Sequence, residues 1–190
     1  MKDIKLEKKS GLKLKGRYKF TIATLETKHQ KNLNKQIELF RSQGKQFLHL
    51  VKQLNSICKT KVIYADNLIT TVGLTLLTNQ LTSSSPTNDP QINYCAVGSG
   101  TTAPALGDTT LETETYRNLQ ASQTNASGVG YVTMFISATD DNGTYREFGL
   151  FSDASAAADS GVLFSRLAIN ITKSAVQTLT IDYTLTLTNA

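Results

Sequence analysis

The side chains best suited to chemistry are few and are scattered along the 190-residue chain. The two histidines, His29 and His49, have neither a cysteine nor a carboxylate at the spacing of a metal site. Glu112 and Glu114 are close together, but we predict a helical turn at 111–114, where residues two apart point to different sides. These patterns predict no metal, no cofactor and no catalytic residues, and we expect that the protein is not an enzyme.

Asp140 and Asp141 lie in the segment 139–143, where Asn142 followed by Gly143 predicts a tight hairpin turn with positive φ. Aspartate is common in turns because its carboxylate hydrogen-bonds to the local backbone. A calcium site is the alternative, but so short a loop cannot supply the roughly six to eight oxygens that calcium takes. We therefore interpret the two aspartates as turn residues.

Gly98 and Gly100 follow a predicted strand at 92–97, which raises the alternative of a dinucleotide-binding loop. That fingerprint needs a third glycine and an immediate helix start, but Ala103 occupies the glycine position and Pro104 follows it. We interpret Gly98, Gly100 and Pro104 as a structural corner where the chain leaves the strand.

Most of the chain outside 26–59 has the period-two alternation of β-strands. The predicted strands are 17–25, 60–65, 92–97, 131–138, 144–152, 161–171 and 178–188. Several short strands with turn signals between them predict a mainly β fold, an antiparallel β-sandwich of jelly-roll-like kind. We also predict one packed helix at about 67–81, capped by Asp66 or Asn67, in which Gly73 allows close approach of a neighbouring strand.

The segment 30–58 has a different period, in which apolar residues recur at alternating spacings of four and three. The stripe consists of Leu33, Ile37, Phe40, Phe47, Val51, Leu54 and Cys58. This heptad pattern predicts an inserted helix, or a helical hairpin if Gly44 breaks it. The stripe either packs on the helix's own domain or associates with a second copy of the helix.

The same segment is basic on its other side. The candidate docking residues are Lys31, Lys35, Arg41, Lys45 and Lys52. They fit either a solvated helix face or a surface that docks on an acidic partner protein. Nucleic acid is not an expected partner of the protein, because the basic segment lacks a recognition motif and stacking aromatic residues.

Charge is distributed unevenly along the chain. Residues 1–66 contain 16 Lys or Arg and 5 Asp or Glu, a net charge of +11. Residues 67–190 contain 4 Lys or Arg and 10 Asp or Glu, a net charge of −6, so the whole chain has a net charge of +5. Residues 1–16 are rich in lysine and poor in apolar residues, and we interpret them as a basic arm preceding a single domain at 17–190.

No apolar run is long enough for a membrane span, and Cys58 and Cys95 are expected to be reduced.

Six stretches together resemble a family of tailed-bacteriophage virion structural proteins, which includes tail, fibre, minor structural and capsid-decoration proteins. The stretches are NLITTVGL at 67–74, YCAVGSGTTAPA at 94–105, DTTLETE at 108–114 with Arg117, REFGLF at 146–151, GVLFSR at 161–166 and LTIDYTL at 179–185. Their order and spacing carry the resemblance, which covers about 17–25 and 60–188. Similar proteins run from the first strand to the second through a short turn, so 26–59 is an insertion.

The resemblance implies a non-enzymatic virion component, made in the cytoplasm of a bacterial host and present in many copies. A capsid decoration or cement protein on the head surface is the first expectation. A tail, baseplate or fibre-associated protein, including a receptor-binding module, is the alternative. The expected partners are further copies of the chain, with a trimer as the first guess, and other virion proteins such as the major capsid protein. The family supplies no catalytic residues.

Overall fold

The computed structural model describes residues 12–26, 35–36 and 45–189. We number the described elements in chain order. They are β1 (Leu12–Thr24), α1 (Lys45–Ile57), β2 (Lys59–Asp66), β3 (Leu68–Ile69), α2 (Thr71–Thr82), β4 (Ile92–Gly98), β5 (Glu114–Leu119), β6 (Ser122–Ala126), β7 (Val129–Ile136), β8 (Gly143–Ser152), β9 (Val162–Lys173) and β10 (Gln177–Asn189). Neither α1 nor α2 is long and apolar enough to cross a membrane.

The strands form two five-stranded sheets in which every described pairing is antiparallel. Sheet I has the order β2-β1-β10-β7-β6, and sheet II has the order β3-β9-β8-β4-β5. This β-sandwich-like architecture with two helices confirms the predicted fold class at the level of antiparallel β structure. The first and last strands, β1 and β10, are neighbours in sheet I.

Aromatic side chains fill the space between the two sheets. Tyr18 and Phe20 of β1 meet Phe148 of β8 at ring-centroid distances of 5.1 and 5.8 Å, both in edge-to-face geometry. Tyr183 of β10 lies 4.7 Å from Tyr18, and the Tyr18 hydroxyl reaches Ser165 of β9. Edge-to-face rings are favourable beyond the area they bury, so this cluster joins the two sheets. The alternation predicted at 178–188 is confirmed for Leu179, Ile181, Tyr183 and Leu185, which face this core, whereas Leu187 at the end of the strand is exposed.

Helix α2 begins later than the sequence predicts. Leu68 and Ile69 are still extended and pair with β9, so the cap at Asp66 or Asn67 is wrong. Thr70 is the N-cap: its hydroxyl oxygen accepts a hydrogen bond from the N–H of Gly73 at 3.0 Å. A threonine at this position satisfies one of the unpaired N–H groups at the helix start.

Helix α1 packs on the face of sheet I that points away from sheet II. Val51 and Leu54 are buried there against Leu25, Phe135 and Ala138. A polar contact accompanies this packing, since the side-chain amide of Asn55 donates to the hydroxyl oxygen of Thr180 on β10. The apolar stripe of the inserted helix is therefore used, at these two positions, within its own domain.

One strand boundary and one turn differ from the sequence-based expectations. Strand β1 begins at Leu12, inside the predicted arm 1–16, because 12–16 continue the pairing with β10. The segment 139–143 is not a hairpin, since β7 lies in sheet I and β8 in sheet II, and neither Asn142 nor Gly143 has positive φ. Ser127 and Gly128, in the turn between β6 and β7, do have positive φ, of 50° and 78°.

The two cysteines are both free, as predicted. Cys95 is buried in β4, between the sheets, and Cys58 is half-buried beside the end of α1.

Gly73 provides the first prediction. A Cβ added there would lie 2.5 Å from the carbonyl oxygen and 2.9 Å from the Cα of Phe164, both backbone atoms of β9. Alanine is favoured over glycine in helices by about 1 kcal/mol, yet we expect Gly73→Ala to lower the free energy of unfolding by about 1–3 kcal/mol because α2 must move off the sheet. Thermal unfolding, at about 2–4 °C per kcal/mol for a chain of this size, measures the loss.

Gly107→Ala is the matched control, because a Cβ at Gly107 meets nothing within 4 Å. If both variants unfold at the wild-type temperature, the close approach of α2 to β9 is contradicted.

Candidate functional site

A long connection, residues 99–113, leaves β4 and returns in β5 across the outer face of sheet II. Leu111 anchors it in a small apolar cluster with Ala96, Phe151 and Leu163. The helical turn predicted at 111–114 is wrong, because Glu114 already belongs to β5 and 111–113 are not helical. The backbone N–H groups of Glu112 and Thr113 are instead directed at a buried carboxylate.

That carboxylate belongs to Glu147 of β8, which is 1% exposed. Its oxygens accept five hydrogen bonds. Oε1 accepts from the N–H of Gly100 at 3.0 Å and of Thr113 at 2.8 Å, and Oε2 accepts from the N–H of Glu112 at 2.9 Å and from Nε and Nη2 of Arg166 at 3.0 and 2.8 Å. A buried charge is tolerated only when it is paired and hydrogen-bonded, and here both conditions are met.

Arg166 of β9, 3% exposed, uses its remaining donors on the same connection. Its Nη1 donates to Oδ2 of Asp108 at 2.7 Å, and its Nη2 donates to the carbonyl and hydroxyl oxygens of Thr102. Burial raises the pKa of Asp108, but the N–H of Ala105 and the Arg166 guanidinium outweigh burial and lower it overall. We call Glu147, Arg166, Asp108 and Thr102 the charged network.

The corner glycines make room for the charged network. A Cβ at Gly98 would lie 2.5 Å from Oε1 of Glu147 and would also collide with the carbonyl oxygen of Thr113. A Cβ at Gly100 would collide with Glu147 Oε1 as well. Neither glycine has positive φ, so the requirement is for space and not for backbone freedom. Pro104 is half-buried in the same connection.

A second buried ion pair holds the loop between β8 and β9. Arg117 of β5 donates from Nε and Nη2 to the two carboxylate oxygens of Glu114, at 2.6 and 2.8 Å, a bidentate arrangement. Its Nη1 donates to the carbonyl oxygens of Ser155 and Ser160, and its guanidinium lies 4.5 Å from the ring centroid of Phe151. This side chain therefore connects β5 to the loop 153–161.

Lys173, the last residue of β9, is 1% exposed. It holds residues 137–142, which connect β7 of sheet I to β8 of sheet II. Its Nζ donates to the carbonyl oxygen of Asp141 at 3.1 Å and to Oδ1 of Asn142 at 2.8 Å. Burial lowers the pKa of Lys173 to about 8, and the carboxylates of Asp140 and Asp141 partly oppose that shift. Asp140 makes the local hydrogen bond that the turn interpretation predicted, since its Oδ2 accepts from the N–H of Ser137 at 2.8 Å, although the segment is not a hairpin.

Three cavities lie at the edges of the sandwich. The cavity of 220 Å³ lies beside α2, that of 550 Å³ between β2 and β9, and that of 450 Å³ near Pro90 and Tyr131. The described residues that line them include no carboxylate, histidine or cysteine. Within the described ranges, no three His, Cys, Asp or Glu side chains are grouped as a metal site requires.

The predicted docking and association residues are placed only in part. Lys31, Arg41, Leu33, Ile37, Phe40 and His29 lie outside the described residues. Lys35 is helical and exposed, Lys45 begins α1, Phe47 lies in its first turn, and Lys52 and His49 are exposed on α1. Val51 and Leu54 are buried in the domain, so their surface is already occupied.

The charged network was not predicted as a site. Its signal in the sequence is weak but present: Glu147 follows Arg146 at the start of the apolar segment FGLF, and Arg166 is a single charge inside LFSRLA. A charge at such a position either faces solvent or needs a buried partner, and the partner cannot be identified from local pattern.

Arg166 provides the second prediction. We expect Arg166→Gln to lower the free energy of unfolding by about 3–5 kcal/mol, because Glu147 is left as a buried charge without its cationic partner. Urea titration followed by circular dichroism measures the change. Arg146→Gln removes an exposed arginine one residue from Glu147 and should stay within about 0.5 kcal/mol of wild type. Equal effects of the two substitutions would contradict the network.

Lys173 provides the third prediction. The unfolded chain holds the Lys173 proton to about pH 10.4, whereas the folded chain releases it near pH 8, so the unfolded state binds more protons between these values. The free energy of unfolding therefore gains up to about 1.4 kcal/mol per pH unit from this group as pH rises from about 8 to 9.5.

The measurement is the difference in free energy of unfolding between wild type and Lys173→Met across that interval. Groups present in both proteins cancel, including Tyr18, Tyr145 and Tyr183, whose pKa values are raised by burial. If the difference in free energy of unfolding between wild type and Lys173→Met does not change with pH, a neutral Lys173 in the folded state is ruled out.

Comparison with known proteins identifies no relative. No protein family, no curated protein and no solved structure matches the chain. The buried charges are accordingly interpreted from their own geometry: they join connections to sheet II, and Glu147 and Arg166 are hydrogen-bonded to partners within the chain.

Proposed function

We propose that the protein is a non-enzymatic structural component of a bacteriophage virion, present in many copies. The observation that carries the proposal is the convergence of the stretches on which the family resemblance depends. They are spread over residues 67–185, yet Gly100, Asp108, Glu147 and Arg166 belong to four of them and meet in the charged network. Gly73 and Phe164, from two of the same stretches, form the contact between α2 and β9.

This convergence supports a scaffold role for these residues. Scaffold residues are expected to hold connections to a sheet, whereas catalytic residues are expected to converge on an open cleft. Glu147 accepts five hydrogen bonds within the chain and has no oxygen directed at solvent. The jelly-roll-like form of the sandwich stays part of the proposal, since β1 and β10 are neighbours.

Within the virion, we favour a capsid decoration or cement protein on the head surface, assembled as a homo-oligomer, with a trimer as the first arrangement to test. The inserted segment 26–59 is the element that we propose to dock on other virion proteins. A tail, baseplate or fibre-associated protein is the alternative, including a receptor-binding module. Receptor-binding tips favour aromatic residues in exposed loops, but the exposed tyrosines here, Tyr64 and Tyr131, lie on strands β2 and β7.

The fourth prediction concerns the position of the protein in the virion, which is tested by electron microscopy of purified particles from a phage that encodes this chain. An epitope tag on the protein should be labelled by gold-conjugated antibody over the head, in many copies per particle. Labelling confined to the tail would replace the decoration role with the alternative. Absence of the protein from purified particles would contradict the whole proposal.

The same particles test the docking segment. The variant Lys31→Ser, Lys35→Ser, Arg41→Ser should enter particles at reduced occupancy, because it removes three cations of the insertion and changes no residue of a described strand. Lys59→Ser with Lys61→Ser removes exposed lysines of β2 and serves as the control. Full occupancy of the first variant would exclude docking through these cations.

A further inference from the structure

One half of the outer face of sheet I is open and strongly basic. On β1, the side chains of Lys13, Lys15, Arg17 and Lys19 alternate with residues that point into the core, so all four share the outer face. The first three are exposed and Lys19 is half-buried. We call these four residues the cationic row.

The cationic row lies among hydroxyl groups and two exposed tyrosines. The residues opposite it on β10 are Thr188, Thr186, Thr184 and Asp182. Tyr64 on β2 is opposite Lys19 and is 57% exposed, and the Arg17 guanidinium lies 5.0 Å from its ring centroid. Tyr131 on β7 is opposite Thr184, which lies between it and Arg17, and is 46% exposed.

Two carboxylates share the outer face with the four cations: Asp66 of β2 lies opposite Arg17, and Asp182 of β10 lies opposite Lys19. Lys13, Lys15 and Lys19 form no ion pair with any residue in the described ranges. The Oδ1 atom of Asp182 accepts a hydrogen bond from the Thr133 hydroxyl. The end of the same face near Phe135 and Thr180 is covered by α1, so the row occupies the open end.

The spacing fits a linear polyanion. Residues i and i+2 of a strand are about 6.8 Å apart, so the cationic row places four positive charges along about 20 Å of a flat face. Aromatic side chains beside such a row are the platforms on which unpaired bases stack in single-stranded nucleic-acid sites. An acidic protein surface would use the cations but has no need of the two tyrosines.

We propose that this face of sheet I binds single-stranded nucleic acid, with the cationic row on the phosphates and Tyr64 and Tyr131 against the bases. This proposal departs from the sequence-based expectation that nucleic acid is not a partner, because that expectation considered the segment 30–58 and the site lies on sheet I. It is also independent of the virion proposal, because it depends only on the residues that β1, β2 and β7 display.

Fluorescence anisotropy with a labelled thymidine oligomer of about 12 nucleotides, a length within the range of known single-strand sites, tests the proposal on the full chain. We expect saturable binding that weakens as salt increases. Neutralising four phosphates of a single strand gives a slope of log K against log salt of about −2.8.

The key variant is Lys13→Ser with Lys15→Ser. Losing two phosphate contacts should reduce the slope by about 1.4, which corresponds to roughly 25-fold weaker binding at 0.1 M salt. Lys59→Ser with Lys61→Ser removes the same charge from the adjacent strand, but those lysines line the cavity between β2 and β9 on the opposite side of sheet I. This control should bind nearly as wild type does.

Tyr131→Ala separates stacking from charge and should weaken binding by at least about fivefold without changing the slope. Circular dichroism and thermal unfolding confirm that each variant is folded. The proposal is overturned if no saturable binding occurs, if the two double variants lose affinity equally, or if duplex DNA binds as tightly as the single strand. Displacement by polyglutamate at equal charge concentration would also overturn it and would identify an acidic protein as the partner.

Discussion

The ion pair between Glu147 and Arg166 is the interaction on which the ordered connections of sheet II depend. Removing two charges from water costs several kcal/mol for each ion, and the pair is stable only if the remaining donors and acceptors are satisfied. Strands β8 and β9 supply the two charged side chains but not enough hydrogen-bond partners to satisfy them. The connection 99–113 supplies the rest, through backbone N–H groups of Gly100, Glu112 and Thr113 and through Asp108. Its path across the sheet is therefore set by the need to satisfy buried charge.

The outer faces of the two sheets are covered in different ways. Sheet II is covered on its outer face by connections held by buried ion pairs, including Arg117 with Glu114. Sheet I is covered at one end by α1, through apolar contacts and the Asn55 bond, and is open at the other end. Of the parts that we propose for partners, helix α1 of the inserted segment and the cationic row lie on the outer side of sheet I. These proposals place recognition on one sheet and the buried ion pairs on the other.

Much of the fold was predictable because its signals are local. Period two at 178–188 identified β10, and the glycine at position 73 predicted the close approach of α2 to a strand, which Phe164 of β9 provides. The errors have one cause, since each involves a contact distant in sequence. Leu68 and Ile69 pair with β9 and delay the start of α2. Glu147 attracts the N–H groups of Glu112 and Thr113 away from a helical turn.

By itself, the sequence determined which residues face the core, where the period changes from two to that of a helix, and that positive charge concentrates before residue 67. These properties follow from side-chain alternation and composition, which need no partner strand. Only the tertiary structure decided which strands share a sheet, what pairs with Glu147, and that Lys13, Lys15 and Arg17 lie on one open face with Tyr64 and Tyr131. Those relations depend on strand order and register, because residues far apart in sequence become neighbours only when the sheets assemble.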